Sequence, residues 1–304
     1  MAKMIILSKH YFIKSILSKL KWIALGIACI PSRLIYGNIA GLLNNFFPLR
    51  ELKKFQKTSN VSSQQIPLAA TAAANLLHKE GVYLIKSNYT EELLKTIHKK
   101  YIEMIGNDLH SIPSQNGCSR YLKNADKNIP ELKELISTQL QEILMAYYGC
   151  YFIISDISAW RNHHVPEINI ATESAKYDVF SNTFHSDAVA RTSLRLFVLL
   201  SDGVAKNTGA FRYHNKANSE KIVKSLGFFS RPYMSKAARE KLLDPQTIKY
   251  FEGNIGDAAL CNTQECLHAA SIPEKEGSFR DMIQFVIHPS KQPIISKEDM
   301  FSKF

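Results

Sequence analysis

The chain has 304 residues, 45% of them hydrophobic and 21% charged, enough for one large β-rich domain with appendages and no second independent domain. Its 38 basic and 27 acidic residues leave a formal charge of +11, which favours an anionic partner or plain solubility. The five cysteines (Cys29, Cys118, Cys150, Cys261, Cys266) are odd in number and form no CxxC, which excludes a disulfide framework or a zinc knuckle and points to a reducing, cytoplasmic compartment.

Residues 1–50 carry seven Lys or Arg and no acid; the first acid is Glu51. From Ile5 to Ile23 apolar residues recur at helical spacing with Lys9, Lys14, Lys19 and Lys21 between them, the pattern of a basic amphipathic helix. The apolar run from Trp22 to Ile30 is too short to span a bilayer, which needs about 20 residues. Three readings fit this segment: a helix on an anionic membrane surface, helices packed on the core, or a targeting peptide. Residues 51–66, polar and rich in Ser and Gln, read as a linker. The chain thus divides into a basic N-terminal segment, 1–60, and a domain, 61–304.

A helix is expected over Leu68–Lys79, ended by Glu80-Gly81, then a strand at Val82–Ile85 and a helix capped by Thr90. Residues 106–128 read as loop and Leu132–Tyr148 as helix. Strands dominate afterwards: Tyr151–Ile157, Leu194–Leu200, Ala210–Tyr213, Ala258–Asn262 and Met282–Ile287, separated by turns at Asp202-Gly203, Gly253-Asn254 and Gly256-Asp257. Between Ser219 and Pro245 lies a basic, helix-prone insertion, a candidate lid over an anionic substrate through Lys221 and Lys224. Many short strands with Gly turns suggest a sandwich or jelly roll.

His185 and Asp187 are separated by one residue, so on an extended strand both project from one face. An imidazole and a carboxylate there are two members of a facial triad for non-haem Fe(II), whose third member is a His far downstream. His268, after the Gly256-Asp257 turn and a short apolar strand, is the candidate. Arg280 opens the next apolar strand; an Arg aimed between sheets is costly unless it meets an anion, and its planar fork suits a carboxylate. The adjacent pair His163-His164 reads as loop, His214 and His288 as hydrogen-bonded structural residues, and Arg161 as either a pocket residue or a structural ion pair.

Together these residues resemble the phytanoyl-CoA dioxygenase-like branch of the Fe(II)/2-oxoglutarate oxygenases. The likeness runs through His78–Lys86, His185-Ser-Asp187, Leu199–Asp202, Thr208–Phe211, Gly256-Asp257, His268 and Arg280, and covers about residues 66–290. It implies a mainly β, cupin-like double-stranded β-helix (jelly roll) with a helical lead-in, acting as a dioxygenase that hydroxylates a small or lipid-like molecule and releases succinate and CO2. It implies Fe(II) on His185, Asp187 and His268, and 2-oxoglutarate on Arg280 with help from Ser271. O2 is the co-reactant, and Asn182 and Arg195 line the cosubstrate or substrate pocket. Arg212–Lys216 departs from the Pro-Gly-Ser-His of many relatives, so the substrate does not carry over. Asp187 is retained, whereas relatives that halogenate usually lose this carboxylate, which favours hydroxylation. The alternatives are a catalytically silent jelly-roll binding or scaffold protein at a membrane and a cupin-type metal enzyme without 2-oxoglutarate. The basic residues form no single stripe and no RNA-binding motif or zinc finger is present in the sequence, so nucleic acid is not an expected partner.

Overall fold

The computed structural model describes residues 46–59, 61, 66–114, 118–166, 182–187, 189–226 and 243–301. The amphipathic pattern of residues 1–45 and the Arg231–Lys241 part of the basic insertion lie outside them. Among the described residues no helix is long and apolar enough to cross a membrane.

The first half of the expected linker, 51–58, is instead helical: α1 spans 46–58. Its half-buried Leu52 and Phe55 pack on the core, and Gln56 Nε2 donates to Tyr148 O at 2.7 Å. Those two apolar residues three apart supply a packing stripe that the surrounding polar composition hides. Then come α2 (Leu68–Glu80), β1 (Val82–Ile85) and α3 (Glu91–Ile105). Gly81 ends α2 in the left-handed conformation, and Thr90 caps α3 by accepting from Leu93 N.

The expected loop at 106–128 holds two short strands, β2 (Ser111–Pro113) and β3 (Ser119–Leu122), and a helical turn, α4 (Ala125–Asn128). The single helix expected over Leu132–Tyr148 is two elements, a 3-10 turn at Pro130–Leu135 and α5 (Thr138–Tyr148). Ser137 restarts the chain by accepting from Leu140 N. After α5 follow β4 (Tyr151–His163), β5 (Leu194–Leu199), β6 (Phe211–Tyr213) and α6 (Lys216–Leu226). The chain continues through β7 (Lys249–Phe251), β8 (Ala258–Cys261), β9 (His268–Ala270) and β10 (Phe279–Ser290).

These strands make two antiparallel sheets, a large one ordered β1-β8-β5-β10-β4-β3-β2 and a small one ordered β7-β6-β9. A single antiparallel bridge, His185 to His268, adds a fourth edge to the small sheet. This is a jelly roll. One face of the large sheet packs on α2, α3 and α5 through Leu196, Val198, Ile283, Phe285 and Ile287. Its other face meets the small sheet through Phe197, Leu199, Met282, Phe211, Tyr213 and Phe251. Strand alternation therefore sends Arg195 and Arg280 into the space between the sheets, with Phe197 and Met282, while Asp281 faces the helices.

Candidate metal centre and cosubstrate slot

The bridge between His185 and His268 is a reciprocal pair of backbone hydrogen bonds, 3.0 Å and 2.9 Å, so residues 83 apart in sequence stand directly opposite one another. Asp187 is tied to the segment before β9 in the same way: its N–H donates to Thr263 O at 3.0 Å, and Thr263 Oγ1 donates to its Oδ2 at 2.6 Å. His185 Nε2 and His268 Nε2 lie 3.8 Å and 3.6 Å from Asp187 Oδ1. All three ligand atoms lie within 4.8 Å of one another.

The tautomers follow from the carbonyls behind the rings. His185 Nδ1 is 2.7 Å from Thr183 O, and His268 Nδ1 is 3.0 Å from Cys266 O. A carbonyl only accepts, so each Nδ1 carries the proton and each Nε2 turns its lone pair toward Asp187, as a metal-binding imidazole must. Burial pushes the Asp187 carboxyl up, whereas the Thr263 hydroxyl that donates to it and the nearby Arg195 charge lower it and favour the ionised form. Two buried imidazoles and an ionised carboxylate gathered at one point suit a divalent iron-type ion. The Phe211 ring stacks beside His268 at 5.5 Å and meets Phe197 at 4.9 Å, forming an apolar wall next to the ligands.

Arg280 is fully buried. Its Nη1 donates to Gly209 O at 2.7 Å, yet its Nε has no hydrogen-bond partner. Burial lowers its pKa to about 10 although Asp281 opposes the shift. Ser271 N donates to Ala210 O, placing it beside the same turn, and the buried Ser271 Oγ is likewise unpartnered. Gly209 makes this approach possible: at φ 97°, a Cβ there would come within 2.9 Å of Pro273 Cγ. Arg280 and Ser271 thus both reach the Gly209–Ala210 turn, and each keeps one buried polar atom without a hydrogen-bond partner.

Arg195 sits at the other end of this inner face, its Nε 3.7 Å from Asp187 Oδ2 and lacking any hydrogen bond. Asn182 is held by its backbone: its carbonyl accepts from Arg212 Nη2 at 2.5 Å, and the Arg212 guanidinium lies over Phe184. The structure thus brings His185, Asp187 and His268 together, with Arg195 beside them, and groups Ser271 with Arg280. Three other histidines have structural partners: His164 Nδ1 meets Pro273 O, His214 Nδ1 meets Thr247 Oγ1, and His288 bridges Ser193 and Ser155. Sequence reading missed Thr263, which holds the carboxylate ligand; a lone Thr in a loop carries no pattern that would reveal it.

No protein-family model matches the sequence, and no curated protein matches it either. Solved structures do. The chain is similar to the epimerase SnoN in complex with Fe3+, alpha ketoglutarate and nogalamycin RO, at TM-score 0.54 and 12% identity over 73% of this chain and 84% of that one. It is similar to HygX from Streptomyces hygroscopicus with nickel, 2-oxoglutarate and hygromycin B bound, at TM-score 0.51 and 13% identity over 72% of this chain and 87% of that one. It is similar to EctD from S. alaskensis with 2-oxoglutarate and 5-hydroxyectoine, at TM-score 0.52 and 12% identity over 76% and 79%. The fold is therefore the jelly roll of iron- and 2-oxoglutarate-dependent enzymes. No family model singles out the phytanoyl-CoA dioxygenase-like branch.

Proposed function

We propose that this protein is an Fe(II)/2-oxoglutarate-dependent oxygenase that hydroxylates a small or lipid-like, anionic molecule. What carries the reading is one combination: an Nε2, Nε2, carboxylate cluster within 4.8 Å, and a buried Arg280 lacking an acceptor for its Nε between the same two sheets. The jelly roll and the phytanoyl-CoA dioxygenase-like motifs agree with it.

In this reading His185, His268 and Asp187 hold the iron, and the carbonyls of Thr183 and Cys266 keep both rings in the metal-binding tautomer. Thr263 orients the carboxylate. Arg280 and Ser271 take the distal carboxylate of 2-oxoglutarate, filling the two orphaned hydrogen-bonding positions. Arg195, beside Asp187, would hold a carboxylate of the cosubstrate. Iron, 2-oxoglutarate and O2 together supply the oxidising chemistry, with succinate and CO2 as coproducts. Phe211 and Phe197 keep water from the ligands.

Anaerobic absorption tests this. Purified protein given Fe(II) and then 2-oxoglutarate should develop a weak visible charge-transfer band that requires both and is absent in His185→Ala. Folded protein that binds no metal would instead mark a silent scaffold, and protein that binds metal but gives no band on adding 2-oxoglutarate would mark a metal enzyme that does not use it.

A further inference from the structure

Helix α1 has two chemically opposite sides. Pro48, Leu49, Leu52 and Phe55 are half-buried and lie on the side that packs on the domain. At 100° per residue, Phe46, Arg50, Lys53 and Lys57 cluster on the opposite side, with Phe47 and Lys54 at its flank, and all six are exposed. Phe46 and Phe47 are 61% and 52% exposed and pack edge-to-face on each other at 5.7 Å, where an aqueous surface would favour polar side chains. Lys291, from the loop after β10, joins Phe47, Arg50 and Lys54 around one concavity. Glu51 is the one acid there and stands at the edge of the stripe, and the 45 residues before the helix add six further cations and no acid.

We propose that this face of α1 is a peripheral docking surface for anionic phospholipid membrane. The pairing of exposed aromatic rings with a dense, acid-poor row of cations selects this occupant. Cations alone suit any polyanion, but rings that enter the boundary between headgroup and acyl chain gain only from lipid. Aromatic side chains could also stack on nucleic-acid bases, but that mode uses rings interleaved along a basic groove. Here both rings sit at one end of the stripe. The inference does not depend on the metal centre.

The test is co-sedimentation of the full chain with vesicles of phosphatidylcholine, with and without phosphatidylserine. Binding should need phosphatidylserine and weaken with salt. The variant Lys53→Glu/Lys54→Glu/Lys57→Glu should lose affinity by about 100-fold, and Phe46→Ser/Phe47→Ser by roughly tenfold. Both variants should keep the wild-type melting temperature, since the altered side chains are exposed. In Phe47→Trp the emission should shift to the blue on adding phosphatidylserine vesicles and stay unchanged with phosphatidylcholine alone. Wild-type affinity in both variants would place any lipid binding elsewhere and overturn the proposal. So would a lack of wild-type binding, or binding to a single-stranded oligonucleotide that matches vesicle binding and ignores the phenylalanines.

Discussion

Arg280 and Asp281 are neighbours on β10, both buried, and they face opposite sides of the large sheet into two differently finished regions. On the helix side Asp281 is fully satisfied: Arg161 Nε and Nη2 each donate to it at 2.7 Å and Tyr101 OH at 3.0 Å. Arg161 also lies 3.8 Å over the Phe279 ring. On the inner side Arg280 makes one hydrogen bond, to a neutral carbonyl, and its Nε has no acceptor. A buried ion network with every group paired maintains the fold; a buried cation left short of partners costs stability and is retained where something else completes it. The contrast separates structural from ligand-binding charge without any appeal to conservation.

Breaking the satisfied side should have the largest effect. Asp281→Ala strands Arg161 and Tyr101 and should destabilise the fold by about 3–5 kcal/mol in denaturant melts, with metal binding lost only through unfolding. A variant as stable as wild type would mean that water completes the network.

His214 sharpens the contrast, because it too has a buried unpartnered atom, Nε2, but beside the Phe184 ring rather than at the Gly209 turn. Burial, reinforced by Arg212, lowers its pKa to about 4. An unfolded His titrates near 6.5, so the unfolded chain takes up its proton first. The stability His214 confers is intact above pH 6.5 and falls by up to roughly 3 kcal/mol as pH drops toward 4. Urea melts between pH 7 and 4 should show that loss, and His214→Leu should flatten it; an equal slope in the variant would assign the acid limb to other groups.

On the unsatisfied side, Arg280→Met should weaken 2-oxoglutarate binding by about 100-fold while leaving metal binding intact and the melting temperature equal or higher. Calorimetric titration of the Ni(II)-loaded protein measures both. A sharp drop in stability would make Arg280 structural after all.

The smallest effect is expected at Arg195. Arg195→Met should weaken 2-oxoglutarate by about tenfold and pyruvate, which lacks the distal carboxylate, by the same factor, whereas Arg280→Met should affect 2-oxoglutarate alone. If pyruvate binding is unchanged in Arg195→Met, Arg195 acts only on Asp187.

Much of the site was legible in the sequence because it is written in residue types. His185 and Asp187 at a spacing of two, His268, and Arg280 at the head of an apolar strand have few other uses as a set. The helices α2 and α3 and strand β1 were legible from periodicity and caps. What was not legible were short strands interrupted by polar residues or proline: β2, β3, β7 and β9 have three or four residues each with no continuous apolar run, and β9 carries His268. Likewise the 51–58 part of α1 was hidden by its polar composition, since Leu52 and Phe55 are its only apolar residues.

The sequence by itself determined which donor atoms exist, their order along the chain, and the jelly-roll character of the strands, because side-chain chemistry and strand alternation are local. Only the tertiary structure decided that His185 and His268 face each other across one bridge, that Thr263 holds Asp187, and that Arg161 belongs to Asp281 rather than to the pocket. Those outcomes depend on register between strands distant in sequence. A shift of one residue would turn Arg280 toward the helices and Asp281 into the cavity, and no local pattern specifies that register.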